Sequence, residues 1–221
     1  MNRVLRWLLL VLFSAAATTA MALVIFFIAG RRDLPFVWAY LGIVAVLTMT
    51  ALVLMDPDLI KERIRPGPGA RDRWIIYFIK FLFWAHLILA ALDLRERSDI
   101  TLAGQVIGLI GFASGFGLAV WAMIVNRFFS AVIRLQADRG HHLITTGPYR
   151  FVRHPGYAGV LLGVLASPLA LGSWLSGIPM LIVAVLILRR LLMEDRFLHE
   201  QLEGYPAYAA DVRYRLIPRI F

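Results

Sequence analysis

Apolar positions along this chain come in long unbroken blocks. They show neither the alternation of a half-buried strand nor the narrow stripe of a surface helix. A helix needs about 20 mostly apolar residues to cross a bilayer. Four blocks reach that length: 7–30, 34–55, 74–92 and 100–125. The first follows Arg3 and Arg6 and passes small residues at Ala15, Ala16, Ala17 and Ala20, as a signal peptide would. It continues through Ile25-Phe26-Phe27-Ile28, which is too long for a signal and predicts an uncleaved helix. Asp56-Pro57-Asp58 closes the second block, and the third carries Lys80 and His86 inside it. The fourth holds Gly104, Gly108, Gly111, Gly115 and Gly117, which predicts a small face where another helix approaches closely.

A fifth block, 157–188, is long for one tilted span and short for two. Leu171-Gly172-Ser173-Trp174 interrupts it, with Pro168 and Pro179 on either side. This predicts a helical hairpin entering the membrane from one side; a single kinked span is the alternative. The expected architecture is an all-α integral membrane protein. It has about four transmembrane helices in 1–125. Residues 126–221 form a region made of a loop, the hairpin and an interfacial helical tail.

Composition agrees with a membrane protein. Of the 221 residues, 60% are hydrophobic and only 17% charged, against about 45–50% apolar in soluble proteins. There is no cysteine, so disulfides and thiolate metal sites are excluded; no metal is expected. The net charge of +9 suits basic loops against anionic lipid rather than nucleic acid. With the fifth block as a hairpin, four basic segments share one side: Arg3 with Arg6, residues 61–73, 126–153 and 189–219. The other side receives Arg31, Arg32, Arg95 and Arg97. The positive-inside rule makes the richer side cytoplasmic, in the inner membrane if the source is bacterial.

That side holds two long polar segments, 126–156 and 189–221, and the hairpin between them must bring them together. Gly147-Pro148 predicts a turn, and Pro155 holds His154 out of the α region. His154 and Tyr157 then project from a stiff loop entering a helix that begins at Pro155 and Gly156, whose unpaired N–H groups could hold a ligand. The same residues also suit an interfacial anchor. Arg190 and Glu194 stand four apart on the helix leaving the hairpin and share a face. They form either an ordinary helix pair or a functional pair kept near the membrane. The tail residues Gly204-Tyr205-Pro206-Ala207-Tyr208 fit a helix lying on the membrane or a lid.

Arg153-His154-Pro155-Gly156-Tyr157 resembles the R-H-P-x-Y motif of the isoprenylcysteine carboxyl methyltransferase family, part of a wider group that includes phospholipid methyltransferases. Glu194-Asp195 with Leu198 resembles its E-E-x-x-L, Tyr205-Pro206-Ala207-Tyr208 its Y-x-x-Y, and Pro218 its closing proline. The resemblance covers 126–221. It extends more weakly to Asp56-Pro57-Asp58-Leu59 with Glu62-Arg63, similar to a P-E-L…E-R pattern. Asp195 departs from the second Glu, and Gly204 is displaced by one position.

The resemblance implies S-adenosylmethionine as cofactor. It implies cofactor contacts at His141, His142, Leu143, Ile144, Tyr149, His154, Pro155, Gly156, Tyr157 and Glu194. It also implies Arg190 as holder of the acceptor's carboxylate. The expected partners are a lipophilic acceptor and membrane lipids. Carboxylate O-methylation is favoured, with amine N-methylation as a variant. A related membrane reductase or a non-catalytic transport or assembly protein are the rival readings. No glycine-rich fingerprint follows a strand, which excludes a soluble Rossmann-type methyltransferase.

Overall fold

The computed structural model describes residues 3–68, 73–96 and 100–221; Arg71 and Arg97 lie outside the described residues. The element order is α1 (Arg3–Ala29), α2 (Pro35–Leu54), α3 (Pro57–Ile64), α4 (Arg73–Glu96), α5 (Leu102–Val125), α6 (Pro155–Leu171), α7 (Gly177–Gln201) and α8 (Tyr205–Asp211). Among the described residues there is no strand. Four helices, α1, α2, α4 and α5, are long and apolar enough to cross a membrane, and the protein is a multi-pass membrane protein. Phe27, Leu102 and Val185 stand exposed around the bundle, as lipid-facing side chains do.

The short α3 is a helix where the sequence pattern suggests only a span-closing signal. Its own local chemistry starts it: the Asp56 carboxylate caps the Asp58 N–H, and Pro57 sits at a first-turn position that needs no donor. Thr101 caps α5 through the Gly104 N–H, so that helix begins at Leu102.

The fifth apolar block folds as a hairpin. Gly172 ends α6 in the left-handed conformation (φ 74°), and Ser173 N–H closes back onto the Pro168 carbonyl. Pro179 falls in the first turn of α7, where its missing N–H costs nothing. The hairpin runs deeper than its apolar length suggests. Its tip reaches Asp93 near the end of α4, whose carboxylate accepts from the Ser173 hydroxyl (2.6 Å) and the Leu175 N–H (3.2 Å). Fully buried His86 sits 3.0 Å from the Ser176 carbonyl and 2.8 Å from the Ser167 hydroxyl, which also meets Tyr40 at 3.0 Å. His86 therefore ties α4 to both arms of the hairpin.

Helices α5 and α6 lie antiparallel, nearly backbone to backbone. A Cβ on Gly108 would fall 2.2 Å from Ala170 N, and one on Gly115 would fall 2.4 Å from Gly163 N. Gly111 faces Ala166 at the same seam. Two of the five glycines do not contribute. Gly117 faces open space, and Gly104 meets only its neighbours Ile100 and Thr101. The core proper packs Ile25, Val37, Tyr40, Leu87 and Phe112 from α1, α2, α4 and α5. A second cluster joins Leu82, Val164, Met180 and Ile187 of α4, α6 and α7.

Candidate active site

The seam delivers the chain out of α5 at Val125 and back into α6 at Pro155, at one end of the bundle. The irregular stretch between them is held by side-chain bonds. The Asn126 carboxamide accepts from Phe128 N–H (2.9 Å) and donates to the Tyr149 hydroxyl (3.2 Å). Buried Gln136 donates to the Phe128 carbonyl (2.6 Å). Arg134 makes two bonds to Glu62 of α3 (2.8 and 2.7 Å) and two to Asp138 (2.7 and 3.2 Å). Burial opposes the Glu62 charge, but bonds from Arg134, the Gly67 N–H and Ser130 outweigh it and hold the carboxyl below its ordinary range. The Glu62–Arg134 pair therefore fastens α3 to the loop.

The Arg153-His154-Pro155-Gly156-Tyr157 segment divides its work. Arg153 and His154 face Asp195 of α7, which is 3% exposed. Its carboxylate accepts from Arg153 Nε (3.0 Å), His154 Nε2 (2.9 Å), the Tyr205 hydroxyl (2.8 Å) and Arg215 Nε (2.8 Å). Desolvation of Asp195 works against its charge, but these donors, His154 first, hold its pKa far below the ordinary carboxylate value. Arg153 also donates to the Val212 and Arg213 carbonyls (2.8 and 2.7 Å). The Arg153 and His154 N–H groups bond the Tyr214 and Arg215 carbonyls (2.9 Å each). Together these contacts stitch the C-terminal tail to the start of α6. They also decide the tail's place: α8 docks Tyr205 on Asp195 and Tyr208 on the Tyr149 carbonyl (2.7 Å).

Tyr157 points instead to the other pair. Its hydroxyl donates to Glu194 Oε2 (2.6 Å) and accepts from Arg190 Nε (3.1 Å). Arg190 and Glu194 therefore communicate through a phenol and form no direct ion pair with each other. Arg190 Nη2 also donates to the Ala131 carbonyl (2.5 Å).

These groups surround one cavity of about 350 Å³, within the range of roughly 300–1,000 Å³ common for small-molecule sites. Its wall contains His141, His142, Leu143 and Ile144, then Tyr149, His154, Gly156, Tyr157, Arg190 and Glu194. Pro155 is the one residue of the expected set outside the wall; it is buried at the start of α6. Gly156 is open to the Phe129 ring, where a Cβ would stand 2.2 Å from Cε2. The cavity continues to Ile76, Ile79 and Lys80 of the membrane helix α4, so it borders both the polar cap and the apolar bundle.

His141 stacks on Phe128 (ring centroids 4.6 Å apart), and its Nδ1 accepts from the Gln136 N–H (3.3 Å). Burial, then the nearby His142, Arg134 and Arg139, push its pKa down to about 4. It is therefore neutral at pH 7 with its proton on Nε2, free to donate one hydrogen bond. Among the described residues, no group of three His, Asp or Glu side chains is placed to hold a metal ion.

Sequence reasoning missed the aromatic floor of Phe128 and Phe129, the brackets Asn126 and Gln136, and Arg63 of α3, all of which line the cavity. Only Glu62-Arg63 gave a signal, through its resemblance to the E-R pair. Asp195, seen in the sequence as a shortened neighbour of Glu194, is the hub of the tail.

Residues 103–203, which hold most of the cavity wall, match the phospholipid methyltransferase family model. Two rice proteins, from Oryza sativa subsp. indica and subsp. japonica, are each described as a probable protein-S-isoprenylcysteine O-methyltransferase. Each is 32% identical over 138 residues, covering 61% of this chain and 71% of its own length. Given that similarity and the all-helical membrane architecture, the chain belongs to the isoprenylcysteine carboxyl methyltransferase family of integral membrane methyltransferases.

Proposed function

We propose that this methyltransferase moves a methyl group from S-adenosylmethionine to a carboxylate on a lipophilic acceptor, at the cytoplasmic face of the membrane. The observation that carries this reading is the shared cavity. It joins the 141–144 loop, Tyr157 and Glu194 on the polar side to Ile76 and Ile79 of a membrane helix. A water-soluble donor and a lipid-soluble acceptor can each reach it from their own solvent. The donor set fits the cofactor: a carboxylate for an ammonium, a neutral imidazole donor, and aromatic faces suited to a sulfonium. The lysine and arginine bias of the loops supports the cytoplasmic orientation.

Bound S-adenosylmethionine would supply an already activated methyl group: an ester O–CH3 bond forms as the S–CH3 bond breaks, and no proton has to move. The chain's task is then alignment and exclusion of water. Glu194 holds the cofactor's ammonium, and the Tyr157 hydroxyl fixes the carboxylate that does so. His141 offers its Nε2 proton to a polar group of the same molecule. Arg190, anchored on Ala131 and Tyr157, grips the acceptor's carboxylate. An acceptor anion suits that guanidinium, whereas an amine acceptor would be repelled.

Titration calorimetry in detergent with S-adenosylhomocysteine tests the cofactor. Wild-type protein binds it, Glu194→Ala does not, and Arg190→Ala does. The absence of heat with wild type at high micromolar ligand refutes the cofactor. Equal affinity in wild type and Glu194→Ala refutes the role given to Glu194.

A further inference from the structure

Four arginines line the cavity, and they differ in what they touch. Arg134 is spent on Glu62 and Asp138, and Arg153 on Asp195. Arg63 and Arg190 have only neutral partners: among the described residues, neither has a carboxylate within ion-pair distance. Both converge on one short stretch of the loop from different helices. Arg63 Nη1 donates to the Phe129 carbonyl (3.3 Å), and its guanidinium lies 5.8 Å from the centre of the Phe129 ring. Arg190 Nη2 donates to the Ala131 carbonyl, two residues on. The two are close enough for their charges to repel. Successive helix residues stand about 100° apart. With Glu62 committed inward to Arg134, Arg63 is left at the cavity's exposed rim while Arg190 is buried deeper.

Two guanidiniums without counter-charge, sharing one cavity wall, make a site for an anion. We infer that Arg63 is a second acceptor-binding residue, which with Arg190 holds the acceptor's carboxylate; this rests on the methyl-transfer reading above. The chemistry permits it. A carboxylate has about four lone-pair positions, so it can accept from both arginines and still present one lone pair to the methyl carbon. Buried Arg190 fixes the bound anion, and Arg63 at the rim draws it in. The division explains why α3 is clamped to the loop by Glu62 and Arg134: the clamp holds Arg63 over Phe129.

The test uses the full chain in detergent with two probes, N-acetyl-S-farnesylcysteine and its uncharged carboxamide, with binding followed by tryptophan fluorescence. Wild type prefers the acid, and Arg63→Gln reduces that preference about tenfold, the size expected for one lost hydrogen bond to a charged group. Arg63→Lys keeps part of it. With the acid as methyl acceptor, KM rises in Arg63→Gln while kcat stays near wild type. S-adenosylhomocysteine affinity is unchanged, which shows that the variant is folded and its cofactor site intact. An acid–amide ratio in Arg63→Gln equal to that of wild type overturns the inference. So does a wild type indifferent to the acid–amide change, or a variant that binds both probes equally more weakly. Failure of the methyl-transfer reading shows separately, as wild type that binds the acid but neither binds S-adenosylhomocysteine nor methylates the acid.

Discussion

Replacing Asp195 by Asn keeps the side chain's shape and removes its charge. Four donors then face a carboxamide that can accept on one atom only, and its NH2 opposes at least one of them. The losses are unequal. Arg153 retains the Val212 and Arg213 carbonyls, and Arg215, 37% exposed at its side chain, can turn to water. His154 and Tyr205 are buried, and the partner left to each is the other, at 3.2 Å. Breaking a buried ion pair by removing one partner costs about 3–5 kcal/mol, and the retained contacts of Arg153 put this case at the lower end, about 3 kcal/mol. At about 2–4 °C per kcal/mol for a chain of this size, Tm should fall by roughly 6–12 °C. Tryptophan fluorescence during heating in detergent micelles reads the change, and trypsin reads its location, because Arg213 and Arg215 in the loosened tail become faster cleavage sites. The pH dependence has a fixed sign. The folded-state pKa of Asp195 is depressed, so its stabilisation is fully present above the unfolded-state value of about 3.9 and lost as pH falls through the folded value. Through this carboxylate's own titration, the gap between wild type and Asp195→Asn should close only in strong acid. A Tm within about 2 °C of wild type at pH 7, less than 1 kcal/mol by the same conversion, would show that the tail is held by something other than this carboxylate.

Two other changes test the frame. Gly115→Val drives a side chain into the Gly163 backbone and should cost more than the about 1–3 kcal/mol of ordinary overpacking. Gly117→Ala, facing open space, should not lower the melting temperature; similar losses in both would contradict the seam. An alkaline phosphatase fused after Phe221 should be inactive in cells, while a fluorescent protein at the same place should be bright; an active phosphatase would reverse the orientation proposed for the cavity.

The membrane frame was legible because hydrocarbon imposes a length and a composition that no tertiary contact can relax. Gly172 and the flanking prolines marked the hairpin for the same local reason, since they break helices wherever they stand. The depth of the hairpin was hidden, because it depends on Ser173 and His86 finding partners on other elements. Helix α3 was hidden in plain chemistry: Asp56 and Pro57 are a start signal that also serves as a stop for the apolar run before it. At the site, the resemblance pointed to segments that do meet around one cavity. It did not separate Arg153, which faces Asp195, from Tyr157, which faces Glu194, because the two lie close together in the sequence, one before α6 and one in its first turn, and only the fold sends them apart. Phe128, Gln136 and the convergence of Tyr205 and Arg215 on Asp195 leave no mark in spacing, since each comes from a different stretch of chain.

Backbone lies directly on backbone where α5 meets α6, so that contact has no rotamers to change and no room to slide. The two helices form a single stiff plank, and the 126–154 stretch spans its end like a handle fixed at both sides. The opposite flank of the chamber, lined by Ile79 of α4 and Ile187 of α7, is closed by side chains rather than by backbone. A greasy molecule too bulky for the resting chamber would meet side chains it could displace at α4 and α7, and only fixed main chain at the plank.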